Sequence, residues 1–307
     1  MIKYDKIIVD VYNYYHRVIE TCPVKKPREV VAQFRNDLSR LQGFTFGDIY
    51  LLFDPSGNSS KQKTTLRKEI CKTYKENRKK FESSDEGKLK RDSLDLLGST
   101  LLLYPKPNVH LYQHVEYEAD DYVEKLTETG NCLLITSDED WARYLEMDRV
   151  DMLIAGLCPI EENIFTAQSY YKKYGFKPTV ATVSIYKALM SDESDGIPGV
   201  YKSSKHIVLQ EAVDETIIAL NKIADQKLSL EEASYMFHTG QGVFNKVSQF
   251  LQLSCTEKSI EKIKDTFSDN LKVIGSLIPH SSDIKIENLE VRLDLFKTNK
   301  PFTLNRR

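Results

Sequence analysis

The chain has 307 residues, of which 41% are hydrophobic and 29% are charged, a composition typical of a globular protein with a full core. No apolar run approaches the roughly 18 residues that a membrane helix needs, and the N-terminus lacks the pattern of a signal peptide. The five cysteines are scattered without metal-ligand spacing, which predicts reduced thiols in a cytoplasmic protein.

Charge is distributed unevenly along the chain, although the formal net charge is only −2. Residues 55–91 carry twelve Lys and Arg against five Asp and Glu. Residues 116–140, in contrast, carry one Lys against nine Asp and Glu. A basic segment followed by an acidic one indicates a polyanion bound beside a metal site. The alternative is a pair of solvated surface helices, the usual fate of charged runs.

Short apolar segments alternate with helical ones in the first half of the chain, which predicts a parallel α/β sheet. The predicted strands are 6–11, 48–54, 109–113, 131–138 and 150–155. Asp10, Asp54 and Asp138 stand at or near the ends of three of them. Ligands of such sheets bind beyond the carboxyl ends of the strands, so we expect these carboxylates to meet there. For Asp10 alone, a helix N-cap is the alternative role.

Helices are predicted in the same half at 27–42, 61–80, 88–103 and 118–129. The second is strongly basic, and on a helix Tyr74 would share a face with Arg78, one turn from Lys75. We expect Lys75 and Arg78 to clamp a phosphate and Tyr74 to offer a ring on which a base can stack. A bend after this helix would let residues 61–104 form an arch over the edge of the sheet.

The acidic segment runs through a predicted helix to the fourth strand. Glu118 and Asp121 lie one turn apart and can face the same ion, with Asp120 alongside. Asp140 follows Asp138 at i+2, where a chain leaving a strand can turn both carboxylates inward. Crowded carboxylates stay ionised only when cations compensate, and the expected cations are the hard Mg²⁺ or Mn²⁺ ions.

The second half of the chain is predicted to be helical, at 166–174, 179–190, 209–223, 230–238 and 257–274. Asp192 and Asp195, two more carboxylates three residues apart, precede a Gly-Pro-Gly turn that ends at Gly199. The lysines and serines of 202–205 follow this turn, a pattern suited to duplex phosphates at the start of a helix. An ordinary interhelix loop is the alternative.

These motifs, taken in order, resemble those of the structure-specific 5′-nucleases: flap endonucleases, phage 5′-exonucleases and the 5′-nuclease domain of bacterial DNA polymerase I. The resemblance covers residues 5–200. The matching strings are Ile8-Val-Asp-Val-Tyr-Asn13 with Arg17, Phe53-Asp54 with Arg67, Thr73-Tyr-Lys-Glu-Asn-Arg78, Tyr117-Glu-Ala-Asp-Asp121, Thr136-Ser-Asp-Glu-Asp-Trp141 and Ser191-Asp-Glu-Ser-Asp-Gly-Ile-Pro-Gly-Val200.

In two places the chain departs from the family. Tyr201-Lys-Ser-Ser-Lys205 replaces a Gly-Ile-Gly hairpin that binds a monovalent cation, so a K⁺ site is doubtful, and Gly196 stands where Asn is common.

The resemblance implies an α/β fold with a central, mostly parallel twisted sheet flanked by helices, the PIN-like nuclease core, with a helical arch and a C-terminal helical DNA-binding lobe. The core would occupy residues 1–195, including the arch at about 61–104. The lobe, with a helix-turn-helix-like duplex-binding element, would occupy 196–307. The implied activity is that of a phage-type hydrolase, a 5′–3′ exonuclease or flap endonuclease that uses two Mg²⁺ or Mn²⁺ ions.

Roles for individual residues follow from the same resemblance. The first ion would be held by Asp10, Asp54, Glu118 and Asp120. The second would be held by Asp138, Asp140, Asp192 and Asp195, with Asp121 supporting. Catalytic contacts to the scissile phosphate and to an unpaired base would come from Lys75, Arg78 and Tyr74. The predicted DNA-binding residues are Arg67, Lys79, Lys80, Gly196, Gly199, Lys202, Ser203, Ser204 and Lys205.

Two other functions remain open beside this one. A PIN-like ribonuclease would share the sheet and the acidic pocket, but that group generally lacks the basic segment 61–91 and the glycine turn 196–199. A catalytically silent junction-binding protein would lack the carboxylates of the second ion. The favoured enzyme is expected to be a monomer without membrane contact. Its expected partners are DNA with a 5′ flap or 5′ end, an RNA–DNA hybrid, and replication proteins such as a single-strand-binding protein.

Overall fold

A computed structural model gives the architecture of the chain. It describes residues 4–23, 25–55, 66–71, 74–75, 84–113, 117–145, 149–154, 163–190, 195–201, 210–240, 242–250 and 256–275.

A six-stranded sheet lies at the centre of this part of the chain. Its strands are β1 Tyr4–Asp10, β2 Thr45–Phe53, β3 Val109–Gln113, β4 Cys132–Ile135, β5 Val150–Leu153 and β6 Ile164–Phe165. The order across the sheet is β3-β2-β1-β4-β5-β6. The first five strands pair in parallel, and the two-residue β6 pairs antiparallel with β5. The predicted mostly parallel sheet is therefore confirmed, whereas β6 was not predicted.

Helices cover both faces of the sheet. They are α1 Val11–Thr21, α2 Pro27–Leu41, α3 Leu66–Ile70, α4 Asp85–Leu103, α5 Ala119–Thr127, α6 Ala167–Tyr174, α7 Val180–Met190, α8 Gln210–Gln226, α9 Leu230–Thr239, α10 Gly242–Phe250 and α11 Glu257–Ile274. Within the described ranges, 3₁₀ helices span Gln42–Phe44 and Glu139–Tyr144. None of the helices in the described ranges is long and apolar enough to cross a membrane.

The predicted helix over 61–80 is confirmed at Leu66–Ile70 but is wrong at Tyr74 and Lys75. The helix ends at Ile70, and Tyr74 and Lys75 lie in a turn after it. Lys75 has a φ of 55°, in the left-handed region that a helix excludes. Tyr74 therefore does not lie on the helical face that was predicted for it.

The sheet is buried on both faces, which explains why its strands are continuous apolar runs. Along β1, Ile7 and Val9 pack into a core with α1, α2 and α4. Ile8, between them, faces the opposite core, which also contains residues of α5 and of α7 to α11. The C-terminal helices thus share one continuous core with this face of the sheet.

The carboxyl ends of three neighbouring strands are level. Asp10 pairs with Leu52 on β2, and Val9 pairs with Ile135 on β4. The chain therefore leaves β1, β2 and β4 at the same edge of the sheet, at or within three residues of the carboxylates that were predicted to meet there.

Candidate active site

Asp10 ends β1 and caps α1. Its Oδ1 accepts a hydrogen bond from the backbone N–H of Asn13 at 3.0 Å, and its Oδ2 accepts one from the Thr136 hydroxyl at 3.0 Å. The N-cap role considered for Asp10 is therefore confirmed. Capping leaves the residue at the edge of the sheet, where only 7% of it is exposed.

A cavity of about 460 Å³ opens at this edge. Six carboxylates line it: those of Asp10, Asp54, Asp120, Asp138 and Asp195, which come from five different segments, and that of the exposed Glu20 on α1. The structure thus brings together the three strand-end residues, the acidic start of α5 and the residue before the glycine turn.

The pKa values of two of these carboxyl groups, Asp10 and Asp54, are raised in the cavity. Burial raises the pKa of Asp10 well above its usual range, and repulsion from Asp54, Asp120 and Asp138 raises it further. Burial also raises the pKa of Asp54, which Lys75 partly offsets. A cation bound between such carboxylates is favoured, because its positive charge offsets their mutual repulsion.

At this acidic edge, the carboxylate of Glu118 contacts two basic side chains and a tyrosine hydroxyl. Its Oε2 accepts hydrogen bonds from Lys75 Nζ at 2.8 Å and from the Tyr74 hydroxyl at 2.9 Å. Arg67 Nη1 lies 3.5 Å from the same oxygen. Burial alone would raise the pKa of Glu118, but Lys75 and Arg67 lower it below the usual value.

Lys75 lines the cavity, as a residue predicted to bind the scissile phosphate should. Its backbone N–H donates to the carbonyl of Asp195 at 2.9 Å, which ties the turn to the segment before the glycine turn. Burial would lower the pKa of Lys75, but the nearby Tyr74, Glu118 and Asp54 raise it well above its usual range. Lys75 is therefore a fixed positive charge at the cavity.

The prediction that Tyr74 stacks a base is wrong for this arrangement. Only 2% of the residue is exposed, because its ring packs in the core that contains α5 and its hydroxyl is directed at Glu118. No face of the ring is open to a base. Tyr74 instead orients the carboxylate that holds Lys75.

Arg67 was predicted to bind DNA, and its burial contradicts that prediction. It is 3% exposed, and its two Nη atoms donate to the carboxylate oxygens of Asp121 at 2.8 and 2.7 Å. Its remaining donors reach the carbonyls of Val273 and Gly275 at 2.8 and 3.1 Å. A guanidinium with these buried partners has no surface to offer a phosphate.

The same pair corrects the supporting metal role of Asp121. Arg67 engages both of its oxygens, and Oδ2 also accepts from the backbone N–H of Glu118 at 2.9 Å, which completes a capping box at the start of α5. With 1% exposure, Asp121 does not line the cavity. Its carboxylate stabilises the helix and Arg67.

Trp141 lies in the core and contacts a carboxylate of the cavity. Its side chain is fully buried, and its indole Nε1 donates to Asp120 Oδ1 at 2.6 Å. Burial would raise the pKa of Asp120, but Lys75, Arg67, Arg143 and the indole hydrogen bond lower it below the usual value. Asp120 is therefore held as a carboxylate.

Asp138 and Asp140 begin the 3₁₀ helix after β4 but have different surroundings. Asp138 lines the cavity, and its Oδ1 accepts from the backbone N–H of Asp140 at 3.0 Å. Asp140 forms an ion pair with Lys187 of α7 and is not part of the cavity lining. Its role as a metal ligand stays a prediction.

Metal binding can be compared only in part with the prediction. Within the described ranges, no three His, Cys, Asp or Glu side chains are grouped closely enough to hold a metal ion together. Eight predicted site residues lie outside those ranges: Arg78, Lys79, Lys80, Asp192, Lys202, Ser203, Ser204 and Lys205.

Gly196 adopts a φ of 73° in the turn beside Asp195, where glycine is unstrained.

Several residues of the cavity were missed from the sequence. Tyr12, His16, Arg17 and Glu20 of α1 and Lys90 of α4 line it, although of these only Tyr12 and Arg17 were noted before, as parts of a motif without a role. Asn13 also lines it, and its Oδ1 accepts from the backbone N–H and hydroxyl of Ser137 at 2.8 and 2.7 Å. Their spacing after Asp10 is helical, and this signal was lost because α1 was not predicted.

Comparison with solved structures identifies the architecture. A zinc-bound structure of bacteriophage T5 5′-exonuclease matches with a TM-score of 0.54 and 20% identity, over 87% of this chain and 88% of that one. The chain has the 5′-exonuclease fold. A complex of bacteriophage T5 flap endonuclease with DNA and metal ions matches with a TM-score of 0.55 and 19% identity, over 88% of each chain.

Sequence comparison points to the same group of proteins. DNA polymerase I of Lactococcus lactis subsp. lactis is 32% identical over 148 residues, which is 46% of this chain and 16% of the polymerase. The chain thus spans about a sixth of the length of that relative. No family model matches the chain. The resemblance to phage 5′-exonucleases and DNA polymerase I that the motifs indicate is confirmed.

Proposed function

We propose that this protein is a divalent-metal-dependent, structure-specific 5′-nuclease that hydrolyses DNA near 5′ ends and flap junctions. The observation that carries the proposal is the cavity at the carboxyl edge of the sheet, where the carboxylates of Asp10, Asp54, Asp120, Asp138 and Asp195 lie beside the fixed charge of Lys75. The 5′-exonuclease fold and the sequence match to DNA polymerase I support it. We also propose that the protein is a monomer that acts in the cytoplasm on DNA or RNA–DNA hybrids. A single-strand-binding protein would be its partner there.

The donor set fits hard divalent cations, because the cavity groups several carboxylate oxygens, the ligands that such ions prefer. We propose that Asp10, Asp54, Asp120 and Glu118 hold one Mg²⁺ or Mn²⁺ ion. A second ion would use Asp138 and Asp195, together with Asp140 and Asp192. Bound ions of this kind supply an activated water and stabilise charge that develops on a phosphate.

The protein's own groups position the substrate in this proposal. Lys75 donates to a non-bridging oxygen of the scissile phosphate, a charge-assisted hydrogen bond that strengthens as negative charge develops. Tyr74 and Arg67 hold Glu118, so that Lys75 keeps its position. Asp120 is held ionised by the cations around it and by Trp141, so it is ready to share a cation.

Further DNA contacts in this proposal lie around the cavity. Arg78 would bind the scissile phosphate beside Lys75, and Lys79 and Lys80 would bind the strand that carries it. The glycine turn from Gly196 to Gly199 would face the duplex, assisted by Lys202, Ser203, Ser204 and Lys205. These residues extend the basic contacts from the cavity to the duplex.

The deciding experiment is cleavage of a labelled 5′-flap duplex in Mg²⁺ by the wild-type protein and by Asp10→Asn and Asp138→Asn. We expect wild-type cleavage at the junction that both variants lose while they still bind the DNA. Cleavage of single-stranded RNA alone would instead indicate a PIN-like ribonuclease. Tight junction binding by a wild-type protein that cleaves neither flap, nicked nor 5′-RNA substrates would indicate a silent binding protein.

A further inference from the structure

Asn13 is the only carboxamide among the described residues that line the cavity. It stands in the first turn of α1, where its backbone N–H donates to Asp10 Oδ1 at 3.0 Å, and it is half-buried. Its side chain contacts Ser137, the residue that precedes Asp138. The amide therefore lies between the segments that carry the carboxylates of Asp10 and Asp138.

Contacts with Ser137 fix which way this amide points. Asn13 Oδ1 accepts a hydrogen bond from the backbone N–H of Ser137 at 2.8 Å and one from its hydroxyl at 2.7 Å. A backbone N–H can only donate, so the amide oxygen, and not the nitrogen, must face Ser137. Nδ2 is therefore turned away from Ser137.

Nδ2 is the end of the amide that can bind a ligand. It carries two N–H donors and forms no hydrogen bond within the described ranges. It is not among the enclosed side-chain atoms that lack a partner, so solvent reaches it. Because Asn13 lines the cavity and its oxygen is held by Ser137, the two donors are open to a group that enters the cavity.

An uncharged donor has an advantage at this position. Lys75 shows the behaviour of a charged one, because its ammonium group is already bonded to Glu118. A basic side chain between Asp10 and Asp138 would likewise pair with a carboxylate and would repel the metal ions proposed to bind there. An amide has no net charge, so it can donate a hydrogen bond without taking a carboxylate from a cation.

We propose that Asn13 Nδ2 donates a hydrogen bond to a non-bridging oxygen of the scissile phosphate. Phosphate oxygens are strong acceptors, and a hydrogen bond to them strengthens as negative charge develops. Glu20 also lines the cavity, but it lies two turns, or about 10 Å, further along α1, where salt screens most of its repulsion of this phosphate. This assignment rests on the proposed function, because it takes the phosphodiester to be the nuclease substrate.

Single-turnover cleavage of the flap duplex in saturating Mg²⁺ separates the N–H donors from the contact with Ser137. Asn13→Ala removes both, and we expect its rate to fall about 10- to 100-fold, the effect of losing a hydrogen bond to a charged group. Asn13→Asp keeps an acceptor for Ser137 but has no N–H donor, so its rate should fall at least as far. If Asn13→Asp cleaved like wild type, the side chain would only hold Ser137 and the proposal would be wrong.

Two further variants are the controls. Ser137→Ala loses its hydroxyl, but its backbone N–H still orients the amide, so its rate should fall less than about threefold. Asn108→Ala removes a half-buried amide at the opposite end of the sheet, where Nδ2 donates to the carbonyl of Gly47 at 3.2 Å, and it should match wild type. A loss in either variant as large as that of Asn13→Ala would overturn the assignment.

Phosphorothioate substrates test which atom accepts the hydrogen bond. Sulfur is a weaker acceptor than oxygen, and each of the two diastereomers replaces one non-bridging oxygen of the scissile phosphate. Wild type and Asn13→Ala are compared on both diastereomers in Mn²⁺. We expect the loss in Asn13→Ala to shrink to less than about threefold on one diastereomer and to stay at about 10- to 100-fold on the other, because changes that meet at one contact are not additive. Equal losses on both would overturn the contact.

DNA affinity gives a readout that does not need cleavage. It is measured by fluorescence anisotropy at increasing NaCl in Ca²⁺, a hard cation that binds carboxylates. Asn13→Ala should bind the flap duplex about three- to tenfold more weakly at every salt concentration, because an uncharged donor releases no counterion. Wild-type affinity in Asn13→Ala would overturn the contact. A wild type that binds but never cleaves in Mg²⁺ would overturn the proposed function alone, because the affinity still reports on Asn13.

Discussion

At the residue scale, charge alternates along a chain of contacts from the interior to the cavity. Asp121 holds Arg67, Arg67 reaches Glu118, and Glu118 holds Lys75. The first three are almost completely buried, and only Lys75 lies at the cavity. Each group is thus paired with its neighbour, which is the condition for burying charges at all. This series of contacts fixes the last cation, Lys75, at the cavity, where a substrate can reach it.

Removing that last cation should affect the rate more than binding. We predict that Lys75→Ala lowers the single-turnover cleavage rate by about 10²–10³-fold, the effect of deleting one preorganised donor to a developing charge. The dissociation constant for the flap duplex should change much less. Lys125→Ala, which removes an exposed lysine of α5, is the control. Equal losses of rate and affinity would reduce Lys75 to a binding residue.

Asp10 should destabilise the metal-free protein at neutral pH. Its folded-state pKa is raised, so the native state binds its proton more tightly than the unfolded state does. The resulting stability is complete below the unfolded pKa of about 3.9 and is lost as pH rises through the folded pKa. We predict that Asp10→Asn, which cannot ionise, is more stable than wild type at pH 7.5 in EDTA by about 1 kcal/mol.

Denaturant melts at several pH values check this prediction. The advantage of Asp10→Asn should shrink toward pH 4, where wild-type Asp10 is protonated. The substituted side chain keeps one acceptor for the hydrogen bonds from Asn13 and Thr136 but loses the other, so a small constant penalty is included. A difference that does not change with pH would show that repulsion at Asp10 does not limit stability.

At the element scale, the C-terminal end of α11 connects three segments of the site. Arg67 donates to the carbonyls of Val273 and Gly275, and Arg143 of the 3₁₀ helix donates to the carbonyl of Ile274 at 2.5 Å. Asn270 Nδ2 reaches the carbonyls of Ala188, at the end of α7, and Pro198, in the glycine turn. Carbonyls left open at a helix end favour such cationic donors. α11 thus positions segments that lie far away in sequence.

Arg143 provides the test of this connection. It is 4% exposed and lowers the pKa of Asp120, although it does not line the cavity. We predict that Arg143→Met destabilises the fold by about 1–3 kcal/mol, because a buried carbonyl loses its partner. It should also move the acidic limb of the pH–rate profile to higher pH, because Asp120 becomes easier to protonate.

Arg149→Met is the matched control for Arg143. Arg149 also donates to a helix carbonyl, that of Thr127 at the end of α5, at 2.6 Å. Its loss should cost comparable stability without moving the pH–rate profile. An unshifted profile in Arg143→Met would mean that the arginine stabilises the fold without tuning the site.

Elements with strong periodicity were predictable, and contacts between distant segments were not. β3 and α11 were placed at their observed bounds because alternation and helical spacing are local signals. The basic run around Arg67 has the same spacing, yet the chain leaves the helix after Ile70. The chain leaves the helix here because Arg67 and Tyr74 bond to buried Asp121 and Glu118, about fifty residues away. No local sequence pattern shows these partners.

At the scale of the whole molecule, the cavity brings opposite charges together within a protein of nearly zero net charge. The carboxylates of the sheet edge, which we call the acidic wall, line it together with Glu20 of α1 and with cations from α1, α4 and the turn at Lys75. Fields of such closely spaced charges act mainly at short range, because salt screens them beyond about 8–10 Å. The arrangement thus favours a bound cation and a phosphate side by side.

The acidic wall should make the stability of the whole molecule depend on divalent ions. A ligand that binds only the folded state stabilises it by about 2.7 kcal/mol at a hundred times its dissociation constant. We predict that Mg²⁺ or Mn²⁺ raises the thermal midpoint of wild type, measured by calorimetry without DNA, and that Asp54→Asn and Asp138→Asn lose most of this rise. Asp225→Asn removes an exposed carboxylate that pairs with Lys177 and should keep the full rise. If all three variants kept it, the ions would act on general surface charge and the cavity would not be a metal site.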